Sequence, residues 1–244
     1  MQALYAVAML TTTNPAILYF GTPVVLVSSL NPDGSANLAP MSSAWWLGWR
    51  CMLGFGARSA TPQNILRTGE CVLNLPSAAM APFVDRLALT TASDPVPDTK
   101  QKRGYRHEAH KFERANLTPV PSEIVSAPRV LECPIQLEAR LADSHRIAED
   151  STAIRGHLIA VEVEIVRVHA DSSVLVPGEP DRIDPDKWRP LIMSFQQFYG
   201  LTPRLQESAL ATIPESAYRT RPVSVTEELG RQPRNAASGI NRMG

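Results

Sequence analysis

The feature of this sequence that most constrains its fold is a β-hairpin signal near the N-terminus. Residues 23–30 (PVVLVSSL) are rich in β-branched and apolar side chains, which predicts a buried strand. Residues 31–34 (NPDG) follow with turn chemistry, because proline fixes φ and glycine tolerates a positive φ. Residues 35–41 then predict the returning strand. Within it, Pro40 must lie at an edge, a bulge or a strand end.

The rest of the chain continues this strand-rich pattern with few helices. Further strands are predicted for residues 50–56, 70–75, 133–141 and 157–169, and short helices for 60–68 and 78–89. Pro62 suits the first turn of the earlier helix, and Gly69 is placed to end it. Proline-rich residues 172–203 predict extended segments and short helices. The absence of alternating strands and long helices predicts a mainly β fold, a β-barrel with a few short helices.

The length of 244 residues suits one ordinary domain with appendages. We expect a lead-in over residues 1–20, with a short helix before Gly21, and a barrel domain over 21–205. Residues 90–121 are rich in proline and charge and predict a long surface loop outside the core. Residues 206–244 predict a C-terminal extension that is partly disordered.

Composition excludes several classes of function. Lys+Arg and Asp+Glu number 24 each, whereas nucleic-acid binders usually carry a basic excess. No apolar run reaches the roughly 20 residues of a membrane helix, and the N-terminus lacks a basic signal region, so we expect a cytoplasmic protein without membrane contact. The three cysteines show no C-x-x-C spacing and predict buried apolar positions, with no metal site.

Two short motifs imitate known sites without their full pattern. Gly54-Phe55-Gly56 has Ser59 where a dinucleotide-binding loop needs its third glycine, and the hairpin upstream does not suit a βαβ unit. His107 and His110 stand three residues apart, whereas the zinc protease helix needs four. We therefore predict neither site.

Two polar stretches are better candidates. Residues 37–46 (NLAPMSSAWW) combine small residues and hydroxyls with adjacent tryptophans that could cover an aromatic ring. Residues 58–64 (RSATPQN) place a cation, two hydroxyls and an amide at a predicted helix N-terminus, which favours a phosphate. Each has a purely structural alternative, since Ser59 or Thr61 could serve only as an N-cap and the tryptophans only as core.

In their order, these stretches resemble the flavin reductase-like family with the FMN-binding split-barrel fold. The resemblance spans about residues 20–205. It continues through residues 69–76 (GECVLNLP), through His110-Lys111-Phe112 and through Gly156-His157-Leu158-Ile159.

The resemblance implies a homodimer that binds FMN and uses NAD(P)H as co-substrate. It implies His157 as a catalytic residue that donates a hydrogen bond or places the nicotinamide, with a purely structural strand histidine as the alternative. The implied cofactor-binding residues are Asn37, Ala39, Pro40, Met41, Ser42, Ser43, Ala44 and Trp45 around the flavin ring, Arg58, Ser59, Thr61 and Asn64 around the phosphate, and Lys111 and Tyr199 from elsewhere in the fold.

The function implied is an NAD(P)H-dependent flavin reductase that transfers hydride to flavin N5, with a flavin-dependent oxygenase as a possible partner. Two alternatives stay open at this point. One is a flavoenzyme that retains FMN and acts on an organic substrate. The other is a flavin-binding electron carrier without catalytic turnover.

Overall fold

The computed structural model describes residues 10–219, and its regular elements are mostly strands. Four α-helices are present in this range: α1 Ala60–Thr68, α2 Ala81–Asp85, α3 Asp98–Gln101 and α4 Lys111–Ala115. The strands are β1 Thr22–Pro23, β2 Val25–Leu30, β3 Ala36–Met41, β4 Ala44–Leu47, β5 Arg50–Gly56, β6 Glu70–Leu75, β7 Thr90–Thr91, β8 Arg106–His107, β9 Pro119–Val120, β10 Arg129–Val130, β11 Ile135–Ile147, β12 Leu158–Ala170, β13 Leu175–Val176, β14 Glu179–Ile183, β15 Ile192–Ser194 and β16 Gln197–Tyr199.

Seven of these strands form one antiparallel sheet in the order β3-β2-β6-β11-β12-β5-β4. The two edge strands, β3 and β4, are consecutive in the chain and only Ser42 and Ser43 separate them. Three Cα–Cα steps span at most about 11 Å, so the two edges of the sheet must approach each other at this point. The sheet therefore curls into a barrel whose wall is open between β3 and β4. We call this opening the seam.

The N-terminal hairpin is confirmed. β2 and β3 pair in antiparallel register, with Val25 opposite Met41 and Leu30 opposite Ala36. Gly34 lies in the turn with a φ of 84°, a conformation that glycine adopts more readily than other residues. Pro40 lies on the edge strand of the sheet, where a missing N–H removes no bond from an inner ladder.

The helix predicted for residues 60–68 is also confirmed as α1. Gly69 ends it in the left-handed region, with a φ of 75°, and its N–H donates to the Ile65 carbonyl at 2.8 Å. The strand that follows, β6, pairs with both β2 and β11 and so occupies an inner position in the sheet. α1 therefore connects the end of β5 to an inner strand across one end of the barrel.

Alternation along the strands divides the apolar core into two main clusters. Val25 and Val27 of β2 pack in the first cluster with side chains from β5, β6, β11 and β12, which is the inside of the barrel. Leu26, on the opposite face of β2, packs in the second cluster with Val84 of α2 and Phe112 of α4. The short helices thus cover the outside of the hairpin.

The prediction that residues 90–121 lie outside the core is wrong for the second half of that segment. Phe112, Ala115 and Leu117 are buried in the second core cluster. Residues 88–108 form a surface excursion. Within it, β7 and β8 pair in parallel, and α3 lies between them in the chain. The helical signal of this segment is weak because α4 has only five residues, and two of them are charged and exposed.

Two predicted helices differ from the structure. Residues 78–89 form a 3₁₀ turn at Ala78–Met80 and then α2, since Pro82 sits in the first turn of α2 and cannot donate to a longer continuous helix. Residues 10–20 form no helix, and residues 1–9 lie outside the described residues.

By its contacts the chain divides into one unit ending at Gln206 and a second beginning at Glu207. In the second unit, residues 207–219 contain two 3₁₀ turns, Ala209–Thr212 and Glu215–Tyr218, with no buried side chain. The extension predicted to be partly disordered continues through residues 220–244, which lie outside the described residues.

Candidate functional site

The seam brings the first candidate stretch beside strand β5. The Gly54 N–H donates to the Ser43 carbonyl at 2.8 Å. A Cβ on Gly54 would lie 3.1 Å from the Cβ of Ser43, which is tighter than most real contacts. Glycine at this position therefore allows the link between β3 and β4 to lie directly against β5. Around the link, Ala39, Pro40, Met41 and Ser42 are half-buried, Ser43 is exposed and Ala44 is buried.

The second candidate stretch leads from β5 into α1, and the side chains of Arg58 and Ser59 have no hydrogen-bond partner there among residues 10–219. Ser59 occupies the N-cap position, with φ −74° and ψ 150°, but its side chain makes no capping hydrogen bond. Its main chain is held by a bond from Ser59 N to the Gly56 carbonyl at 2.9 Å, and Gln63 Nε2 secures the loop by donating to the Ala57 carbonyl at 2.7 Å. Arg58 beside it is exposed. The loop is therefore fixed while its hydroxyl and guanidinium stay available to an anion.

A buried network of amides and hydroxyls joins this helix to the hairpin. Asn37 Nδ2 donates to Ser29 Oγ at 3.2 Å and to Thr61 Oγ1 at 3.1 Å. Asn64 Nδ2 donates to the same Ser29 Oγ at 3.2 Å and to Asn31 Oδ1 at 3.0 Å. These bonds hold α1 against the hairpin through Thr61 and Asn64. Both Nδ2 protons of Asn64 are used in them, whereas Thr61 Oγ1 acts in them as an acceptor.

The same network contains one polar atom without a partner. Asn37 is 1% exposed, and its Oδ1 is buried without a hydrogen bond to any residue that the structure describes. An unsatisfied buried carbonyl oxygen is uncommon, and it is stabilised when a donor reaches it. The amide of Asn37 can therefore accept a hydrogen bond from a ligand or a water held near the α1 N-terminus.

His157 lies next to the α1 loop. It directly precedes β12, and its carbonyl accepts a hydrogen bond from Ala57 N at 2.8 Å. Its side chain is exposed, and the imidazole makes no hydrogen bond within the described part of the chain. The structural alternative, a strand histidine satisfied by protein partners, is therefore not what the fold shows. The imidazole is open to a bound molecule.

Lys111 is the most unusual charged group near the hairpin. It is 4% exposed, it begins α4, and α4 packs against β3. Within residues 10–219 its ammonium has no hydrogen bond and no ion pair. Burial first, and then the charge of Lys100, lower the pKa of Lys111 to about 8, against the opposing effect of Glu108. A buried ammonium with so little compensation favours a nearby anion.

The aromatic candidates occupy different surroundings. Trp45 is 57% exposed on the edge strand β4, whereas the neighbouring Trp46 packs against the first core cluster. The indole N–H of Trp46 is buried and has no acceptor within the described residues. Tyr199 is exposed on β16, in a separate three-stranded sheet formed by β1, β15 and β16. The structure therefore does not join Tyr199 to the α1 loop.

The structure thus assembles most of the predicted residues around one end of the seam. Hydrogen bonds connect Asn37 to Thr61 directly and to Asn64 through Ser29. The loop before α1 carries Arg58 and Ser59. The same loop is bonded to His157, whose carbonyl accepts from Ala57 N. Sequence analysis missed Ser29, whose buried hydroxyl accepts from two amides. The available signal was a pair of serines in an otherwise apolar strand, because a buried hydroxyl needs a polar partner.

Metal ligands, membrane-spanning helices and cysteines in the described residues 10–219 bear on the kind of site present. No group of three or more His, Cys, Asp or Glu side chains there is arranged to hold a metal ion. None of the helices in that range is both long and apolar enough to cross a membrane. The three cysteines are buried free thiols, and burial raises the pKa of Cys51 to about 12.

Comparison with known proteins identifies the family of this chain. Residues 17–202 match the model of the flavin reductase like domain. A protein of Bacillus subtilis (strain 168) described as uncharacterized protein YdfE is 36% identical over 187 residues, which cover 77% of this chain and 87% of that protein.

Solved structures agree on the fold. Flavoredoxin of Desulfovibrio vulgaris (Miyazaki F) has a TM-score of 0.66 at 23% identity, covering 84% of this chain and all of that one. Nitrilotriacetate monooxygenase component B from Bacillus cereus has a TM-score of 0.64 at 21% identity, covering 83% of this chain and all of that one. The barrel with its open seam, and the match over most of the chain, place this protein in the flavin reductase like domain family.

Proposed function

We propose that this chain binds FMN at the seam and acts as an NAD(P)H-dependent flavin reductase. The observation that carries the proposal is the α1 N-terminus. A hydrogen-bonded loop there exposes the Arg58 guanidinium beside the Ser59 hydroxyl, which makes no capping hydrogen bond. Main-chain N–H groups in the first turn of a helix favour negative charge, and a guanidinium adds to that preference. A flavin phosphate would be held there.

The residues present fit the other parts of FMN as well. The orphaned Oδ1 of Asn37 would accept a hydrogen bond from a ribityl hydroxyl. The main chain of residues 39–44 would line the ring, with Trp45 covering it from the edge strand. Thr61 and Asn64 act indirectly, because their hydrogen bonds to Asn37 and Ser29 fix the angle at which α1 meets the hairpin.

When bound, FMN would supply a ring that accepts hydride at N5 from a reduced nicotinamide. The chain itself would bind the flavin and the nicotinamide, orient the two rings and exclude water from between them. Backbone N–H groups between Ala39 and Ala44 would stabilise negative charge toward N1 and the C2 carbonyl. Lys111, whose buried ammonium has no ion pair among residues 10–219, would supply a positive charge on the β3 side. His157 would donate a hydrogen bond to the nicotinamide or the ring from the β12 side.

The test is an absorbance titration of the purified chain with FMN, followed by anaerobic addition of NADH and then NADPH. A shifted flavin spectrum that bleaches rapidly with either nucleotide supports the reductase. A shifted spectrum that does not bleach overturns it and favours the flavoenzyme that retains FMN for an organic substrate, or the carrier. An unshifted spectrum removes the flavin site itself.

A second candidate function has one specific observation in its favour. Two of the similar structures are flavoredoxins, from Desulfovibrio vulgaris and from Methanosarcina acetivorans, with TM-scores of 0.66 and 0.64. An electron carrier would keep its flavin through gel filtration and accept electrons from a protein faster than from nicotinamide. Stopped-flow reduction by NADPH that is slower than reduction by a reduced ferredoxin-type donor selects the carrier.

We also propose that the chain is a homodimer. The edge strand β4 exposes Trp45 and Leu47, which are 57% and 75% accessible in the isolated chain. Exposed apolar side chains on an unpaired edge favour coverage by another copy. Multi-angle light scattering on Leu47→Glu should show a shift toward monomer. The matched change Leu66→Glu on α1 should leave the mass unchanged, and a monomeric parent chain refutes the proposal.

A partner and a compartment follow from the same function. Because component B of nitrilotriacetate monooxygenase shares this fold, we propose that reduced flavin is passed to a flavin-dependent oxygenase.

The proposed compartment is the cytoplasm, in which three free buried thiols stay reduced.

A further inference from the structure

A cavity outside the flavin region is the feature that carries a further inference. It has a volume of about 370 Å³ and lies where the surface excursion of residues 88–108 meets α4. This volume is within the usual range of small-molecule sites. Its lining includes Leu89, Thr90, Arg106, His107, Glu108 and Arg114.

The charge of this cavity is positive on balance, with the two arginines Arg106 and Arg114 against the single carboxylate of Glu108. No carboxylate within residues 10–219 lies at ion-pair distance from Arg106 or Arg114, and the Arg114 side chain donates only to the Arg86 carbonyl, at 3.4 Å. Glu108 is the one acidic residue in the lining, and its Oε1 already accepts from His110 N at 2.8 Å. Two guanidinium groups in one concave site are suited to a phosphate, which they bind through paired donors.

The main chain around the cavity is held rigidly. Arg106 N donates to the Leu89 carbonyl at 2.9 Å, and Thr90 pairs with Arg106 in parallel register. Leu89 has a φ of 56°, a conformation that is rare for a branched apolar residue and that persists only where surrounding bonds enforce it. This conformation leaves the Leu89 side chain 51% exposed at the cavity, as an apolar surface beside the two arginines.

His107 adds a further donor. Its Nδ1 donates to the Ser93 carbonyl at 3.3 Å, which fixes the ring and leaves Nε2 free to contact a ligand. An apolar side chain, an oriented imidazole and two guanidinium groups that form no ion pair within residues 10–219 together match a nucleobase attached to a phosphate monoester.

The cavity adjoins the proposed flavin site through Glu108. Glu108 lines the cavity, and its Oε1 accepts from the main-chain N–H of His110 at 2.8 Å, so the carboxylate lies beside the residue that precedes Lys111 at the start of α4. We propose that this cavity binds the adenosine 2′-phosphate portion of NADPH and makes the chain selective for NADPH over NADH. The selectivity for NADPH over NADH rests on the proposed reductase function. Binding of isolated adenosine 2′-monophosphate to the cavity does not depend on it.

The experiment measures binding of adenosine 2′-monophosphate by calorimetry, at constant ionic strength, to the full chain without flavin. Adenosine 5′-monophosphate, adenosine, inorganic phosphate and citrate serve as comparison ligands. We expect the 2′-monophosphate to bind at least tenfold more tightly than each of them. Arg106→Gln should remove most of this difference, and Arg103→Gln, an exposed arginine of the same segment outside the lining, should retain it.

Three results would overturn the proposal. Equal binding of adenosine and its 2′-phosphate removes the phosphate site. Tighter binding of inorganic phosphate or citrate shows that any anion satisfies the arginines. An equal loss in Arg103→Gln and Arg106→Gln shows a general charge effect. Circular dichroism melting of both variants checks folding, and Arg114→Gln repeats the test from the other guanidinium.

The link to the flavin is tested separately. In the wild-type chain loaded with FMN, kcat/KM for NADPH should exceed that for NADH, and Arg106→Gln should lower the value for NADPH alone. A chain that binds the 2′-phosphate but reduces no flavin leaves the cavity assignment standing and refutes the reductase. A chain that reduces flavin with equal kcat/KM for both nucleotides refutes the cavity assignment.

Discussion

Replacing Lys111 by methionine should stabilise the chain when no flavin is bound. Lys111 is 4% exposed, and burial first, then the charge of Lys100, lowers its pKa from 10.5 to about 8, against the opposing effect of Glu108. One pKa unit corresponds to about 1.4 kcal/mol, so the ionised side chain lowers the free energy of unfolding by about 3 kcal/mol at neutral pH. Methionine has a similar length and carries no charge, so the variant should recover most of that amount.

The pH dependence provides an independent check of this reasoning. The folded-state pKa lies below the unfolded one, so between the two values the unfolded chain binds more protons and stability rises with pH. The destabilisation is complete below about pH 8 and is lost as the pH approaches 10.5. The difference between Lys111→Met and the parent chain should therefore be largest at pH 7 and shrink steadily above pH 8.

Urea unfolding of the flavin-free chain at pH 7, 8, 9 and 10 measures this difference. Lys102→Met is the matched control, because Lys102 is an exposed lysine of the neighbouring segment and should change stability little at any pH. A Lys111→Met variant that is less stable than the parent at pH 7 would refute the reasoning, because it would mean that the ammonium has a favourable partner. A stabilisation that does not vary with pH would show that apolar packing, and not charge, is responsible.

Three further predictions follow from the site and its supports. Ser59→Ala should weaken FMN binding about tenfold or more in a fluorescence titration, since a hydrogen bond to a charged group contributes about 1.5–3 kcal/mol, while Ser144→Ala on the exposed face of β11 should have no effect. Gly54→Val should also weaken FMN binding, because a Cβ would lie 3.1 Å from the Cβ of Ser43 and displace the seam link, and equal affinity in the variant would contradict that role. Glu138→Gln should lower the melting temperature at pH 7. Burial opposes ionisation of this carboxylate, but hydrogen bonds from the 123–125 main chain and His169 lower its pKa overall, so its contribution is present above the unfolded pKa and lost on acidification. A deficit of the variant that persists unchanged at pH 3 would contradict this assignment.

The parts of the fold that sequence analysis predicted are those that depend on neighbouring residues. The β2–β3 hairpin follows from strand propensity on either side of a turn with Gly34, and α1 follows from Pro62 and Gly69 at its ends. These signals act over a few residues, so a single sequence contains them.

The parts that it missed depend on contacts between distant segments. Lys111 is buried only because α4 packs on β3, about 70 residues earlier in the chain, and nothing in the local charge pattern indicates that docking. Ser29 gains its role from Asn64, whose amide reaches it from another element. The residue types at the site were therefore predictable, whereas the division between residues that face a ligand and residues that brace the helix required the structure.

The two-residue link between the sheet edges limits the width of the seam. A stretched residue adds at most about 3.5 Å, so one glycine inserted between Ser42 and Ser43 would let the edges separate by about that distance without altering any strand. Once the inserted glycines make the link flexible, the entropic cost of closing it grows only slowly with its length. A series of insertions at this point would therefore change the width of the opening in measured steps while leaving the stability of the barrel nearly constant, and the size of the largest ring system admitted should increase with each step.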